Sequence, residues 1–144
     1  MKSLAVRRAA AEDAEAVAAV SRRAFAAGWS RDAYAAEAGR EDALFLVAVD
    51  ESIVGYALAR VQDEEARLLD FAASYDGRGV GRALWAALAD AARSCGARVL
   101  TFEVSERNRR ARAFYARAGA RVVGRRPKFY NDGADALLMD VTLA

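Results

Sequence analysis

The residues able to do chemistry concentrate in the second half of the chain. Leu68, Leu69, Phe71, Ala72 and Ala73 form a short apolar run, and Asp76-Gly77-Arg78-Gly79-Val80-Gly81 follows it. Apolar residues then recur at Val80, Leu84, Ala87, Leu88, Ala91 and Cys95. That spacing is helical, and Gly96 stands where a helix-terminating glycine belongs. The order strand, glycine-rich turn, helix exposes unpaired backbone N–H groups at the positive end of a helix dipole, a site for phosphate. It is not a P-loop, because no Gly-Lys pair occurs. Nor is it a dinucleotide fingerprint, because Arg82 or Leu84 stands where the third glycine is needed. What remains, x-x-x-G-x-G ending on Gly79 and Gly81, is either a phosphate cradle or a sharp strand-to-helix turn.

Two side chains downstream bear on proton transfer. Glu103 lies in an alternating stretch that sets Val99, Thr101 and Glu103 against Leu100, Phe102 and Val104. A carboxylate near the C-terminal end of a strand lies where α/β sheets bind ligands. There Glu103 can act as a general base, or it can pair with one of the many arginines. Tyr115 follows Asn108 by two helical turns, and its ring can pack against a sheet or its hydroxyl can serve a reaction. Asn108 suits a helix N-cap.

Composition excludes several chemistries. Without a histidine anywhere, there is no Ser-His-Asp triad, HExxH zinc site or His-ligated deaminase centre, and no metal is expected. The single cysteine, Cys95, cannot form an internal disulfide, which fits a reducing cytoplasm, and it reads as a packing residue. At 144 residues the chain has the size of one domain, residues 1–144. No run approaches the roughly 18 consecutive apolar residues of a membrane span, and MKSLAVRRAAAEDAE lacks the apolar stretch of a signal peptide. Residues 1–75 carry 9 basic and 13 acidic side chains, whereas residues 76–144 carry 13 basic and 7 acidic. A basic C-terminal half suits an anionic ligand. Its arginines are not interleaved with stacking aromatics, so nucleic acid is the lesser expectation.

The elements that must position these residues follow from pattern. Leu4 to Arg8 alternates as a strand. Glu12 to Ala27 reads as an amphipathic helix, entered through Ala9, Ala10 and Ala11 without a Ser or Thr cap. Ser30 caps a short helix, Arg31 to Ala38. Ala43 to Val49, Ile53 to Val61 and Arg67 to Ala73 read as an antiparallel meander. Arg98 to Val104 is a strand joined to it through the central helix, hence parallel to its predecessor. Arg109 to Ala118 is the last helix, and Arg121 to Tyr130 with Ala136 to Leu143 forms a hairpin around Asn131-Asp132-Gly133.

This order and several motifs resemble the GCN5-related N-acetyltransferase (GNAT) family. The glycine turn resembles its [QR]-x-x-G-x-[GA] motif, with Asp76 in place of the first Gln or Arg. Thr101 to Asn108, followed by Ala113-Phe114-Tyr115-Ala116-Arg117-Ala118-Gly119-Ala120, is similar to the family's LEVRxSNxxAxxLYxxxGF region. Val123 to Met139 resembles the RRxNYYxDGEDALxM tail of its ribosomal-protein-alanine N-acetyltransferases, and Gly28-Trp29-Ser30 with Tyr34 resembles their PWS…F segment.

The resemblance implies an α/β fold with a mixed, mostly antiparallel sheet of about seven strands, a central parallel βαβ unit and about four helices. It implies an acetyl-CoA-dependent N-acetyltransferase working by direct transfer. Backbone amides of Gly77, Arg78, Gly79, Val80, Gly81 and Arg82 would hold the pyrophosphate. Phe71, Ala72 and Ala73 would lie along the pantetheine and offer N–H groups to the thioester oxygen, and Asn108 would also touch coenzyme A. Glu103 would be the general base, and Tyr115 would give a proton to the departing thiolate. Trp29 and Tyr130 would flank the acceptor, the α-amine of a protein N-terminus, an alanine of a ribosomal or other protein. A small-molecule amine acetyltransferase and a non-catalytic acyl-CoA sensor are the competing expectations. Asp76, beside a pyrophosphate, is expected to weaken coenzyme A binding.

Overall fold

A computed structural model of the chain describes residues 4–25, 28–73 and 79–143. Asp76, Gly77 and Arg78 lie outside the described residues. The elements are strand β1 (Ala5–Arg8), helix α1 (Ala14–Ala24), helix α2 (Arg31–Ala38) and strands β2 (Ala43–Asp50), β3 (Ser52–Gln62) and β4 (Glu65–Ala73). Helix α3 (Val80–Ser94), strand β5 (Val99–Ser105), helix α4 (Arg109–Arg117) and strands β6 (Arg121–Arg126) and β7 (Ala136–Thr142) complete them. One mixed sheet has the order β1-β2-β3-β4-β5-β7-β6. Its β4–β5 pair is parallel and the other pairs are antiparallel, as the sequence implied.

The sheet has a core on each face. Leu84, Leu88 and Ala92 of α3 pack with Leu100, Phe102, Val104, Leu137 and Met139 on one side. Val17, Val20 and Tyr34 pack with Phe45, Val47, Tyr56 and Leu58 on the other. The predicted alternation in β5 holds: Leu100, Phe102 and Val104 are buried, and Thr101 and Glu103 lie on the less covered face.

Two departures from regularity in β4 make the site. Its parallel ladder with β5 runs from Glu65↔Val99 to Arg67↔Thr101. Beyond that point β4 stays paired with β3 as far as Gly55↔Ala73, so its other edge diverges from β5. Alternate backbone N–H and C=O groups of residues 68–73 therefore face the gap. The β3–β4 register also shifts, from Ala59↔Leu68 to Leu58↔Asp70, which leaves Leu69 as a bulge. Bulges bend a strand and re-aim its side chains.

Four local expectations need correction, the first being Cys95, which is exposed rather than packed. Helix α1 begins at Ala14 after a 3-10 turn, Ala11–Asp13, and ends at Ala24 rather than Ala27, because Phe25 is extended (φ −132°, ψ 147°). Its missing hydroxyl cap is replaced from inside the turn. The Ala10 N–H donates to Asp13 Oδ2 at 2.7 Å, and Arg7 clamps both Asp13 oxygens at 2.7 and 3.0 Å. Finally, β6 stops at Arg126, four residues short of Tyr130. Pro127 has no N–H for a ladder, and Lys128 has φ 51°. The expected turn survives as the tip of a longer loop, where Gly133 N–H donates to Tyr130 O at 3.0 Å. The caps of α2 and α4 are as read: Ser30 Oγ accepts from Ala33 N, and Asn108 Oδ1 from Ala111 N, each at 3.1 Å.

Candidate active site

The gap between β4 and β5 opens into a cleft of about 850 Å³. Phe71, Ala72, Ala73, Gly81, Glu103, Asn108, Tyr115, Trp29 and Tyr130 all line it. Residues far apart in sequence thus meet at the C-terminal end of the parallel pair, where α/β sheets bind ligands. Gly79, Val80 and Arg82 stand at the N-terminus of α3, outside the lining. Val80 is buried at 1% exposure, so its side chain serves the core and its backbone alone can face a ligand.

This helix end fits an anion. Gly79 is its N-cap with φ 76°, a conformation costly for any residue with a Cβ. The first turn of α3 contains no acidic residue to neutralise the dipole. Arg82 reaches back, its Nη2 3.6 Å from where a Cβ on Gly79 would lie. The Phe71 and Phe114 rings, 5.6 Å apart, and Ala111 form an apolar wall beyond. The unpaired edge of β4 supplies backbone donors. These features suit a long ligand with an anionic head and a hydrogen-bond acceptor at its other end.

Glu103 sits on the opposite wall with its side chain 16% exposed. Arg67 Nη2 donates to Glu103 Oε1 at 3.1 Å, and Arg126 Nη2 lies 3.5 Å from the same oxygen. Tyr115 is buried, with its ring 4.3 Å from that of Phe102, and it also lines the cleft. The Tyr130 phenol is pushed up by burial, then by the charges of Glu103 and Asp132. Trp29 stacks on Tyr34 at 5.7 Å and 15°. A Cβ on Gly28 beside it would meet Ser21 Oγ at 2.0 Å, so any larger residue there requires Ser21 to shift.

Two parts of the site escape sequence reading. The first is Asp70, next to the bulge and in the cleft wall. The Tyr34 hydroxyl donates to its Oδ2 at 2.5 Å and the Tyr56 hydroxyl at 3.0 Å, and both tyrosines are fully buried. Burial pushes the Asp70 carboxyl up, against the pull of both hydroxyls. A charge interrupting the apolar run from Leu68 to Ala73 was the signal that could have found it. The second is a clamp between the β5–α4 corner and the 127–135 loop. Glu106 Oε2 accepts from Asp135 N at 2.6 Å, Arg125 donates to Asp135 Oδ2 at 2.7 Å, and Asp135 Oδ1 accepts from Lys128 N at 2.9 Å. Arg107 donates to Asp132 O at 2.7 Å. The clamp fixes Tyr130 relative to Asn108, and nothing local in sequence announces it.

Comparison with known proteins shows the family. The model of the Acetyltransferase (GNAT) family matches residues 14–120. The chain belongs to the GNAT acetyltransferase family. It is accordingly an N-acetyltransferase that takes its acetyl group from acetyl-CoA. A Bacillus subtilis (strain 168) protein provisionally named [ribosomal protein bS18]-alanine N-acetyltransferase is 26% identical over 144 residues, covering 96% of this chain and 95% of that protein. The crystal structure of the ribosomal-protein-S18-alanine N-acetyltransferase from Escherichia coli superposes with a TM-score of 0.89 at 27% identity, covering 99% of this chain and 95% of that one. Ard1 from Thermoplasma volcanium shares the fold, with a TM-score of 0.87 at 24% identity and 98% coverage of each chain. Among the described residues, no helix is long and apolar enough to cross a membrane.

Proposed function

We propose that this GNAT enzyme acetylates the α-amine at a protein N-terminus, an alanine or another small residue of a ribosomal or other protein, in the cytoplasm. What supports the reading is the grouping of Glu103, Tyr115 and Asn108 with the free edge of β4 along one cleft, with Trp29 and Tyr130 also in its lining. Similarity along nearly the whole chain to the two alanine N-acetyltransferases points the same way. Residues 1–144 act as a single N-acetyltransferase domain in this reading.

Acetyl-CoA, when bound, supplies an activated thioester. The amides at the start of α3, Gly79, Val80 and Gly81, would hold its pyrophosphate together with the Arg82 guanidinium. N–H groups along Phe71-Ala72-Ala73 would donate to the carbonyl oxygen and stabilise the charge that develops there. Asn108 caps α4 through Oδ1, which reserves Nδ2 for the donor. Glu103 takes the proton that the amine loses, and the Tyr115 hydroxyl delivers one to the departing sulfur. An α-amine has a pKa near 8, so a carboxylate suffices as base at neutral pH, whereas a lysine near 10.4 offers far less free amine.

Mass spectrometry of a peptide with a free N-terminal alanine and an internal lysine, incubated with enzyme and acetyl-CoA, tests this. Acetyl is expected on the α-amine. Acetyl on the lysine alone, or inert peptides beside rapid turnover of a small amine, overturns the proposal in favour of a small-molecule acceptor.

A further inference from the structure

The face of the sheet opposite α3 carries a carboxylate on each side of the open gap. Glu103 lies on that face because Leu100, Phe102 and Val104 of β5 turn the other way, into the α3 core. Asp70 lies on it because its Oδ2 accepts from Tyr34 and Tyr56, which belong to the α1–α2 core. Both acids line the cleft, and the β4–β5 ladder has already ended at Arg67↔Thr101 where they stand. Their charges are met differently. Arg67 and Arg126 lie 3.1 and 3.5 Å from Glu103 Oε1. The groups that bear on the charge of Asp70 are the Tyr34 and Tyr56 hydroxyls and the Phe71 N–H, all neutral. Among the described residues, neither arginine of the cleft lining, Arg23 or Arg110, joins them. The two tyrosines are fully buried with their hydroxyls 3.2 Å apart, so they fix the carboxylate in place, while Asp70 itself is only half-buried.

We infer that Asp70 docks the α-ammonium of the acceptor peptide and positions its nitrogen between β4 and Glu103. The inference rests on the reading of this cleft as the site of a peptide α-amine. An amine with a pKa near 8 is mostly protonated at pH 7, so the acceptor arrives as a cation. A fixed carboxylate that no cation neutralises, in a wall of low dielectric, attracts it more than one already met by two guanidiniums. The ammonium donates a hydrogen bond to Asp70 and gives one proton to the Glu103 carboxylate. The lone pair freed on nitrogen then attacks the thioester carbon beside Phe71-Ala72-Ala73. Asp70 stays ionised throughout and acts by position. Holding the charged form favours binding and does not favour the loss of the proton, so its removal should show in KM rather than kcat.

The test uses calorimetry on the coenzyme A-bound enzyme at pH 7. It compares an alanine-terminated peptide with the same peptide carrying lactic acid in place of that alanine, a hydroxyl for the ammonium. Wild type should prefer the ammonium peptide about tenfold, the scale of one charge-assisted hydrogen bond. Asp70→Asn, and Asp70→Ser as a second uncharged variant, should lose that preference and raise the peptide KM about tenfold, with kcat changed much less. Glu103→Gln should keep the preference. Equal affinities in wild type, a preference that survives both Asp70 variants, or one that Glu103→Gln abolishes overturns the inference while leaving peptide acetylation intact. Turnover of small amines with no acetylation of any peptide α-amine overturns the peptide reading and this inference together.

Discussion

Two carboxylates line the same cleft, and their surroundings differ in kind. Asp70 stands at a strand bulge and is held by two buried tyrosine hydroxyls, with no cation among its hydrogen-bond partners in the described residues. Glu103 stands on the facing strand and is held by two half-exposed guanidiniums. Hydroxyls in a buried pocket stabilise a carboxylate less than desolvation penalises it, so burial wins and the Asp70 carboxyl is pushed up. Glu103 has its charge met by half-exposed guanidiniums that also reach solvent. The first arrangement suits a fixed structural wall, and the second suits a group that exchanges partners during turnover.

The sharpest way to break this contrast is to neutralise each acid in turn. Glu103→Gln should lower kcat by about 10²–10⁴-fold, with acetyl-CoA affinity by calorimetry unchanged, while Asp70→Asn should cost less than about tenfold. The reverse order would make Asp70 the working carboxylate. Tyr115→Phe should lower kcat by about 10²-fold without weakening acetyl-CoA binding. A wild-type rate in that variant would leave Tyr115 with its packing role against Phe102 alone.

Smaller effects sharpen the comparison. Asp135→Asn loosens the clamp that holds the loop of Tyr130, and the peptide KM should rise about threefold with little change in kcat. Matched kinetics with peptides of two lengths would check it. For stability, Asp70 has a raised pKa in the folded chain, so the folded state binds more protons than the unfolded one between the two pKa values. Stability from this group is full below about pH 4, where both states are protonated, and is lost as pH rises through the folded pKa. Asp70→Asn should therefore raise Tm at pH 8 by about 3 °C, with the gain fading toward pH 4 in thermal scans. A gain that is largest at acid pH would contradict the burial account.

How far the chain could be read depends on the range of the interaction involved. Period and punctuation are local, so Ser30 and Asn108 as caps, Gly96 as a helix terminator and the alternation of β5 were legible. So was the parallel β4–β5 pair, because a single helix joins those strands. β6 ends at Arg126, short of the expected Tyr130, because Pro127 cannot donate to a ladder. Glu103, Tyr115 and the glycine turn entered the candidate site through resemblance to the family's motifs, not through periodicity.

What sequence alone determined is the set of elements and the chemical types at the site, since backbone propensity, periodicity and motif spacing are properties of neighbouring residues. Tertiary structure alone decided the insertion of β7 between β5 and β6, the bulge at Leu69 and the divergence of β4 from β5 that opens the cleft. It also decided the partners of the two acids: Tyr34 and Tyr56 for Asp70, Arg67 and Arg126 for Glu103. These pairings join residues 14 to 36 positions apart and depend on strand register and helix placement. A carboxylate's chemistry follows from which groups surround it in space, and no local pattern encodes that.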